Sequence, residues 1–188
     1  VANYDSIAEH EGCRRAVACA TDTFGSCDIV IANAGALLDT AQKGLNSDDE
    51  TWSRLVNLYL GQKFWLSREA LPAMLERGWG RIIFATSEIA RGTQKNPLGA
   101  TVLAGGIAMM RDLATTHFGS GVTFNCYAPS AATRLTATIP DAKRVGGASE
   151  PDAAVDQRMS PDNIAPLAAY LASERSSWLT SRIVSAAG

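Results

Sequence analysis

Residues 80–114, GRIIFATSEIARGTQKNPLGATVLAGGIAMMRDLA, leave the fold little freedom. The opening GRIIFATS is a short apolar run with the β-branched pair Ile82 and Ile83, begun by glycine and closed on the hydroxyl residues Thr86 and Ser87. Such a run predicts a buried strand. A loop and then a long helix follow, which is the order an α/β fold requires.

The flanking sequence repeats this alternation. Ser6-Ile7-Ala8-Glu9 has the spacing of a capping box and predicts a helix over 7–24, ended by Gly25. Residues 27–35, CDIVIANAG, form a nearly continuous apolar run, which predicts a parallel strand buried on both faces. Ser47-Asp48-Asp49-Glu50 is a second capping box, opening a long helix over about 47–76. Its apolar positions, among them Trp52, Leu55, Tyr59, Trp65 and Leu66, cover more than one face and predict a partner surface. Residues 122–128 and 182–188 are further strands, and Ser160-Pro161 starts another helix with serine as the cap and proline at the first position. Residues 139–158, polar and small with Gly146-Gly147, predict a mobile loop over the substrate side. The expected architecture is one α/β domain over 1–188, a doubly wound parallel sheet with helices on both faces.

Composition narrows the function classes. The chain has 188 residues, 46% of them hydrophobic, and a net charge of −2, which suits a globular domain with a sizeable core. It contains no basic block for nucleic acid and no apolar run of membrane-spanning length, so the expected location is cytoplasmic. Cys13, Cys19, Cys27 and Cys126 show no C-x-x-C spacing, and His10 and His117 stand apart from acidic or thiol ligands. Buried thiols and surface or helix-end histidines are expected, with no metal site.

Particular motifs resemble the short-chain dehydrogenase/reductase family. Asn33-Ala34-Gly35 closes the 27–35 strand as the family's Asn-Asn-Ala-Gly signature does, and VNLYLG places Asn57 where the family has a catalytic asparagine. Ser87 stands at the family's catalytic serine, and MMRDLA at 109–114 matches the tail of its catalytic helix. Residues 128–136, APSAATRLT, and the opening VANYDS resemble the hydroxyacyl-CoA dehydrogenase domain of peroxisomal multifunctional enzymes.

The resemblance implies a Rossmann-like fold and an NAD-linked reaction in which a Tyr-x-x-x-Lys pair supplies the acid/base. Here that pair is replaced. Registered on the helix tail, the tyrosine position is Gly99 and the lysine position Leu103; counted from Ser87 they are Ala100 and Ala104. No tyrosine lies between Tyr59 and Tyr127. Without a proton carrier beside it, Ser87 reads as a vestige or simply as the end of a strand, and Asn57 as a vestige or a packing residue. Asn3, Asn33 and Gly35 match family positions beside the cofactor, equally vestigial.

The first strand, glycine-rich turn and acidic ribose-binding residue of the family are expected to lie outside these residues, in a longer polypeptide. The Gly105-Gly106 pair sits inside a helix and does not substitute for that turn. The expected function is a catalytically inactive subunit, itself without cofactor, that assembles with an active short-chain dehydrogenase homologue carrying NAD. Two other readings stay open: an active oxidoreductase with a different acid/base, and an acyl-CoA-binding module.

Overall fold

A computed structural model of the chain describes residues 1–36, 44–92, 96–133 and 159–187. The expected loop over 139–158 lies outside the described residues. Among the described residues four strands, β1 (Ile29–Ala32), β2 (Gly80–Ala85), β3 (Val122–Ser130) and β4 (Arg182–Ala187), form one sheet in the order β1-β2-β3-β4. All three pairings are parallel. The helices are α1 (His10–Phe24), α2 (Asp49–Val56), α3 (Gln62–Arg77), α4 (Pro97–Thr116) and α5 (Ala165–Ala172). Among the described residues no helix is long and apolar enough to cross a membrane.

Alternate strand residues point to opposite faces, and each face has its own cover. On one, Val30, Ile82, Phe84 and Phe124 pack with Val17 of α1, Met74 of α3 and Met110 of α4. On the other, Ile83 and Tyr127 pack against Ile164 and Leu171 from the α5 region. That second cover stops short of β1. Ile29 is 43% and Ile31 41% exposed, whereas Val30 and Ala32 are buried, so β1 is buried on one face instead of the expected two.

Arg81, fully buried on β2, anchors the amino end of the sheet. It donates to the carbonyls of Ser173, Gly80 and Gly121 and to Ser177 Oγ, and its guanidinium lies 4.4 Å from the centre of the Trp79 ring.

The helix starts differ from the capping boxes in the sequence. Ser6 does not cap α1; Glu9 holds the N-cap position and offers no side-chain bond. The cause is Gly12, whose missing Cβ lets the Ser6 carbonyl lie across the first turn, only 1.9 Å from where that Cβ would be. Cys13 Sγ then donates to Ile7 O at 3.3 Å. Asp48, not Ser47, caps α2, accepting from the Thr51 N–H at 2.7 Å. The helix expected over 47–76 is interrupted by a π-helical turn, Asn57–Gly61, between α2 and α3. Gly25, as expected, ends α1 in the left-handed region, at φ 84°.

Candidate functional site

In open parallel sheets ligands bind beyond the carboxyl ends of the strands. At the end of β2, Ser87 is the N-cap of a short 3-10 turn, Glu88–Arg91, and its hydroxyl accepts the Ile89 N–H at 3.3 Å. Thr86 beside it is 7% exposed, and its Oγ1 has no hydrogen-bond partner among the described residues. Both line a cleft of about 150 Å³ that Glu88, Arg91, Ile183 and Ser185 help to close. Ser185 donates to Glu88 Oε1 at 3.0 Å, and Arg91 pairs with the same carboxylate at 3.0 Å.

α4 begins behind Ser87. Asn96 caps it, accepting the Gly99 N–H at 3.0 Å, and Pro97 occupies the first turn. A Cβ on Gly99 would stand 2.8 Å from Asn96 Nδ2, so the cap fills the space where a side chain at 99 would start. Leu103 is buried in an apolar cluster with Leu55, Leu98 and Val102. In the other register, Ala100 is half-buried and Ala104 exposed. In either register these positions carry no proton-transfer group.

The loop after β1 brings other residues together. Tyr59 donates to Ala36 O at 2.6 Å and accepts from Ala36 N–H at 3.2 Å. Gln62 Nε2 donates to Ala34 O at 2.7 Å and also to Leu58 O. Tyr127 donates to Asn33 Oδ1. Gly35 lies under the Tyr59 ring, where a Cβ would be 3.0 Å from the hydroxyl oxygen. Burial raises the Tyr59 phenol above its ordinary value, with the Ala36 hydrogen bond opposing, and burial also raises Tyr127.

Asn57 opens the π-turn, its carbonyl accepting the Gln62 N–H, but its side chain is exposed and no hydrogen bond links it to Ser87 among the described residues. Asn3 is exposed too and engages its neighbour, donating to Asp5 Oδ2 at 2.9 Å while Asp5 N–H returns to Asn3 Oδ1 at 3.0 Å. The structure therefore joins Asn33 and Gly35 to Tyr59, Gln62 and Tyr127, and leaves Asn57 and Asn3 apart from them.

Sequence reasoning missed Tyr59, Gln62, Lys63 and Tyr127 as site-forming residues. A signal existed at Gln62 and Lys63, polar residues on the apolar stripe of a long helix, which are 1% and 2% exposed. Lys63 donates to Tyr59 O and is accommodated by Gly106, whose Cβ would be 2.9 Å from Lys63 Cδ. Gly105 similarly faces Leu60. The doubled glycine thus serves packing of α4 on the π-turn and α3 of the same chain. All four cysteines are free, and among the described residues no cluster of His, Cys, Asp or Glu could hold a metal ion.

A parallel α/β sheet with a serine at the carboxyl end of its second strand and an Asn-Ala-Gly loop after its first defines a Rossmann-like protein. A family model described as enoyl-(acyl carrier protein) reductase matches residues 5–188. The chain belongs to the short-chain dehydrogenase/reductase family.

Among its relatives, a short-chain type dehydrogenase/reductase of Mycobacterium tuberculosis is 30% identical over 176 residues, covering 93% of this chain and 57% of that protein. Peroxisomal multifunctional enzyme type 2 of Mus musculus is 31% identical over 177 residues, covering 93% and 22%. The chain spans little more than half of the first relative's length and a smaller share of the second. Among solved structures, L-sorbose reductase from Gluconobacter frateurii, complexed with NADPH and L-sorbose, matches with a TM-score of 0.80 and 25% identity, over 97% of this chain and 73% of that one. Similarity thus extends across several subgroups, and the hydroxyacyl-CoA dehydrogenase-like relatives are one of them.

Proposed function

We propose that this chain is a catalytically inactive family member that scaffolds an active, NAD-dependent hydroxyacyl-CoA dehydrogenase homologue in a cytoplasmic hetero-oligomer. The observation that carries the reading is α4 itself. Registered on the helix tail, Gly99 and Leu103 take the family's acid/base positions, one beneath the Asn96 cap and the other within an apolar cluster. Ser87 is left as the cap of a 3-10 turn. Neither neighbouring phenol fits the acid/base role: Tyr59 and Tyr127 already have hydrogen-bond partners, and burial raises both, opposite to the shift that a base working near neutrality needs. This weighs against an active oxidoreductase with another acid/base.

The family implies a nicotinamide cofactor, and the residues at the β1 loop do not fit one. Polar groups of Asn33, Ala34 and Ala36 are bonded within the chain, to Tyr127, Gln62 and Tyr59. Cofactor and chemistry belong to the partner in this reading. The cleft at Ser87 is about 150 Å³, below the roughly 300 Å³ at which small-molecule sites begin, which weighs against acyl-CoA binding at that place.

A partner surface is available on the helices. Phe64 is 47% and Trp52 39% exposed, the Arg68 guanidinium lies 5.1 Å from the Phe64 ring centre, and Ala104 and Ala108 lie exposed on α4. The 2-[hydroxy(phenyl)methyl]-succinyl-CoA dehydrogenase of anaerobic toluene degradation, which pairs an inactive with an active subunit, exemplifies such an assembly.

The test is to assay the chain alone and mixed with an intact Tyr-x-x-x-Lys homologue from the same genome, reading NADH production and native mass. No turnover alone and a mixed oligomer with turnover are expected. NAD-linked turnover by the isolated chain that is lost in Ser87→Ala would overturn the reading.

A further inference from the structure

A cleft larger than the one at Ser87 opens at the other end of the sheet, beside the start of β4. Its volume is about 520 Å³, within the roughly 300–1,000 Å³ of small-molecule sites. Thr115 and Phe118 wall it from the end of α4, and Trp178, Thr180, Ser181 and Arg182 from the chain that enters β4.

Both walls are fixed by the fold. His117, the C-cap of α4, stacks on the buried Phe124 ring with centres 5.9 Å apart, and the next residue, Phe118, is left outside at 82% exposure. Opposite, the side-chain amide of Asn125, fully buried on β3, donates to Leu179 O at 2.8 Å and accepts the Arg182 N–H at 3.1 Å. Thr180 Oγ1 accepts the Phe124 N–H at 3.1 Å, and the Ser181 N–H donates to Phe124 O at 2.7 Å. These bonds hold Ser181 at φ 61°, the one non-glycine residue in the left-handed region among the described residues. Such a conformation persists only where its surroundings impose it.

The lining selects the ligand. Phe118 and Trp178, the latter 75% exposed, bring two large apolar rings to one cleft, and neither stacks on another ring among the described residues. Exposed apolar groups gathered at one place mark binding sites, unlike those scattered singly. Arg182 is exposed, its guanidinium has no ion pair or hydrogen bond among the described residues, and no carboxylate lines the cleft to neutralise it. A guanidinium only donates, and its fork matches a carboxylate. One such group balances the single charge of a carboxylate, whereas a phosphate monoester carries more than one at neutral pH. We infer that this cleft binds a small aromatic carboxylate, its ring against Phe118 and Trp178 and its carboxylate on Arg182. Such a site does not depend on whether the chain turns over a substrate at Ser87.

The probe is 2-naphthoate, read by the Trp178 indole N–H and Ser181 amide NMR resonances of the whole 188-residue chain. Both resonances are expected to shift saturably at millimolar 2-naphthoate. Arg182→Gln, an exposed change that should keep the circular dichroism of the wild type, is expected to weaken that binding roughly tenfold or more, the worth of a hydrogen bond to a charged group. 2-Naphthalenemethanol, with the ring but no charge, and acetate, with the charge but no ring, should each bind more weakly than 2-naphthoate. No shift with 2-naphthoate, equal binding of either analogue, or full affinity in Arg182→Gln overturns the inference. So does broadening of the Trp178 resonance that grows with protein concentration and that 2-naphthoate leaves unrelieved, because the two rings would then serve contact between chains.

Discussion

The Tyr127 hydroxyl on β3 donates to Asn33 Oδ1 at the end of β1, although β2 separates the two strands. Ala85 makes this reach possible. It pairs with Tyr127 in the parallel register, and paired residues point to the same face, so its methyl group leaves the phenol room to extend over β2. One side chain thus ties the loop of the edge strand to the interior of the sheet.

Tyr127→Phe is therefore expected to cost about 1 kcal/mol in urea unfolding, the usual net worth of one hydrogen bond. Asn33→Ala should cost a similar amount, and the double variant little more than either single. Full additivity in that cycle would show that the two side chains are not coupled.

Lys63 makes stability depend on pH. Burial lowers its ammonium from 10.5 to about 8, with nearby Cys126 opposing. Between those values the unfolded chain binds the extra proton and the folded chain does not, so stability rises as pH climbs above 8. The penalty is fully present below that. Burial raises the Cys126 thiol from 9.0 to about 12, so its contribution falls from pH 9 upward and the rise is cleanest between 8 and 9. Lys63→Met should gain on the order of 2 kcal/mol at neutral pH and abolish the rise. A wild-type stability that is flat from neutrality to pH 9 would contradict this.

Gly12→Ala sets two magnitudes against each other. Alanine in a helix interior gains roughly 1 kcal/mol over glycine. Here the new Cβ would meet the Ser6 carbonyl oxygen at 1.9 Å, a backbone atom that moves only if the whole lead into α1 moves. A net loss of about 2 kcal/mol is expected, in the range of steric strain in a packed site. Thermal unfolding decides the sign, and a raised Tm would mean that residues 5–9 detach freely.

Assembly is best probed at Phe64. Leu66, which lies on the helix stripe read as a partner surface, packs against the chain's own core, so a charge there would report on folding. Phe64 is 47% exposed. Phe64→Glu should keep the circular dichroism of the wild type and lose the mixed oligomer, since obligate interfaces rest on apolar contact over about 2,000 Å² or more. Retention of the mixed species at wild-type mass would exclude this face.

The order of strands and helices was legible in the sequence, because apolar runs and amphipathic stripes are local patterns that follow from backbone period. So was the identity of the residues on α4 in either register, Gly99 and Leu103 or Ala100 and Ala104, none of which carries a phenol or an amine. The start of α1 was not legible: Ser6 carries a good capping motif, yet contact with Gly12 across the first turn outweighs it. Nor was it legible which face of β1 the described residues bury, since CDIVIANAG reads as buried on both sides and the packing of distant helices on the sheet decides it. Gln62 and Lys63 could be seen as polar residues out of place, but not what they would bond. Their partners, Ala34 O and Tyr59 O, become available only once the π-turn shifts the backbone and the β1 loop folds against it. Local period chose the elements, whereas contacts between residues far apart in the chain decided how the β1 loop and the π-turn are held together.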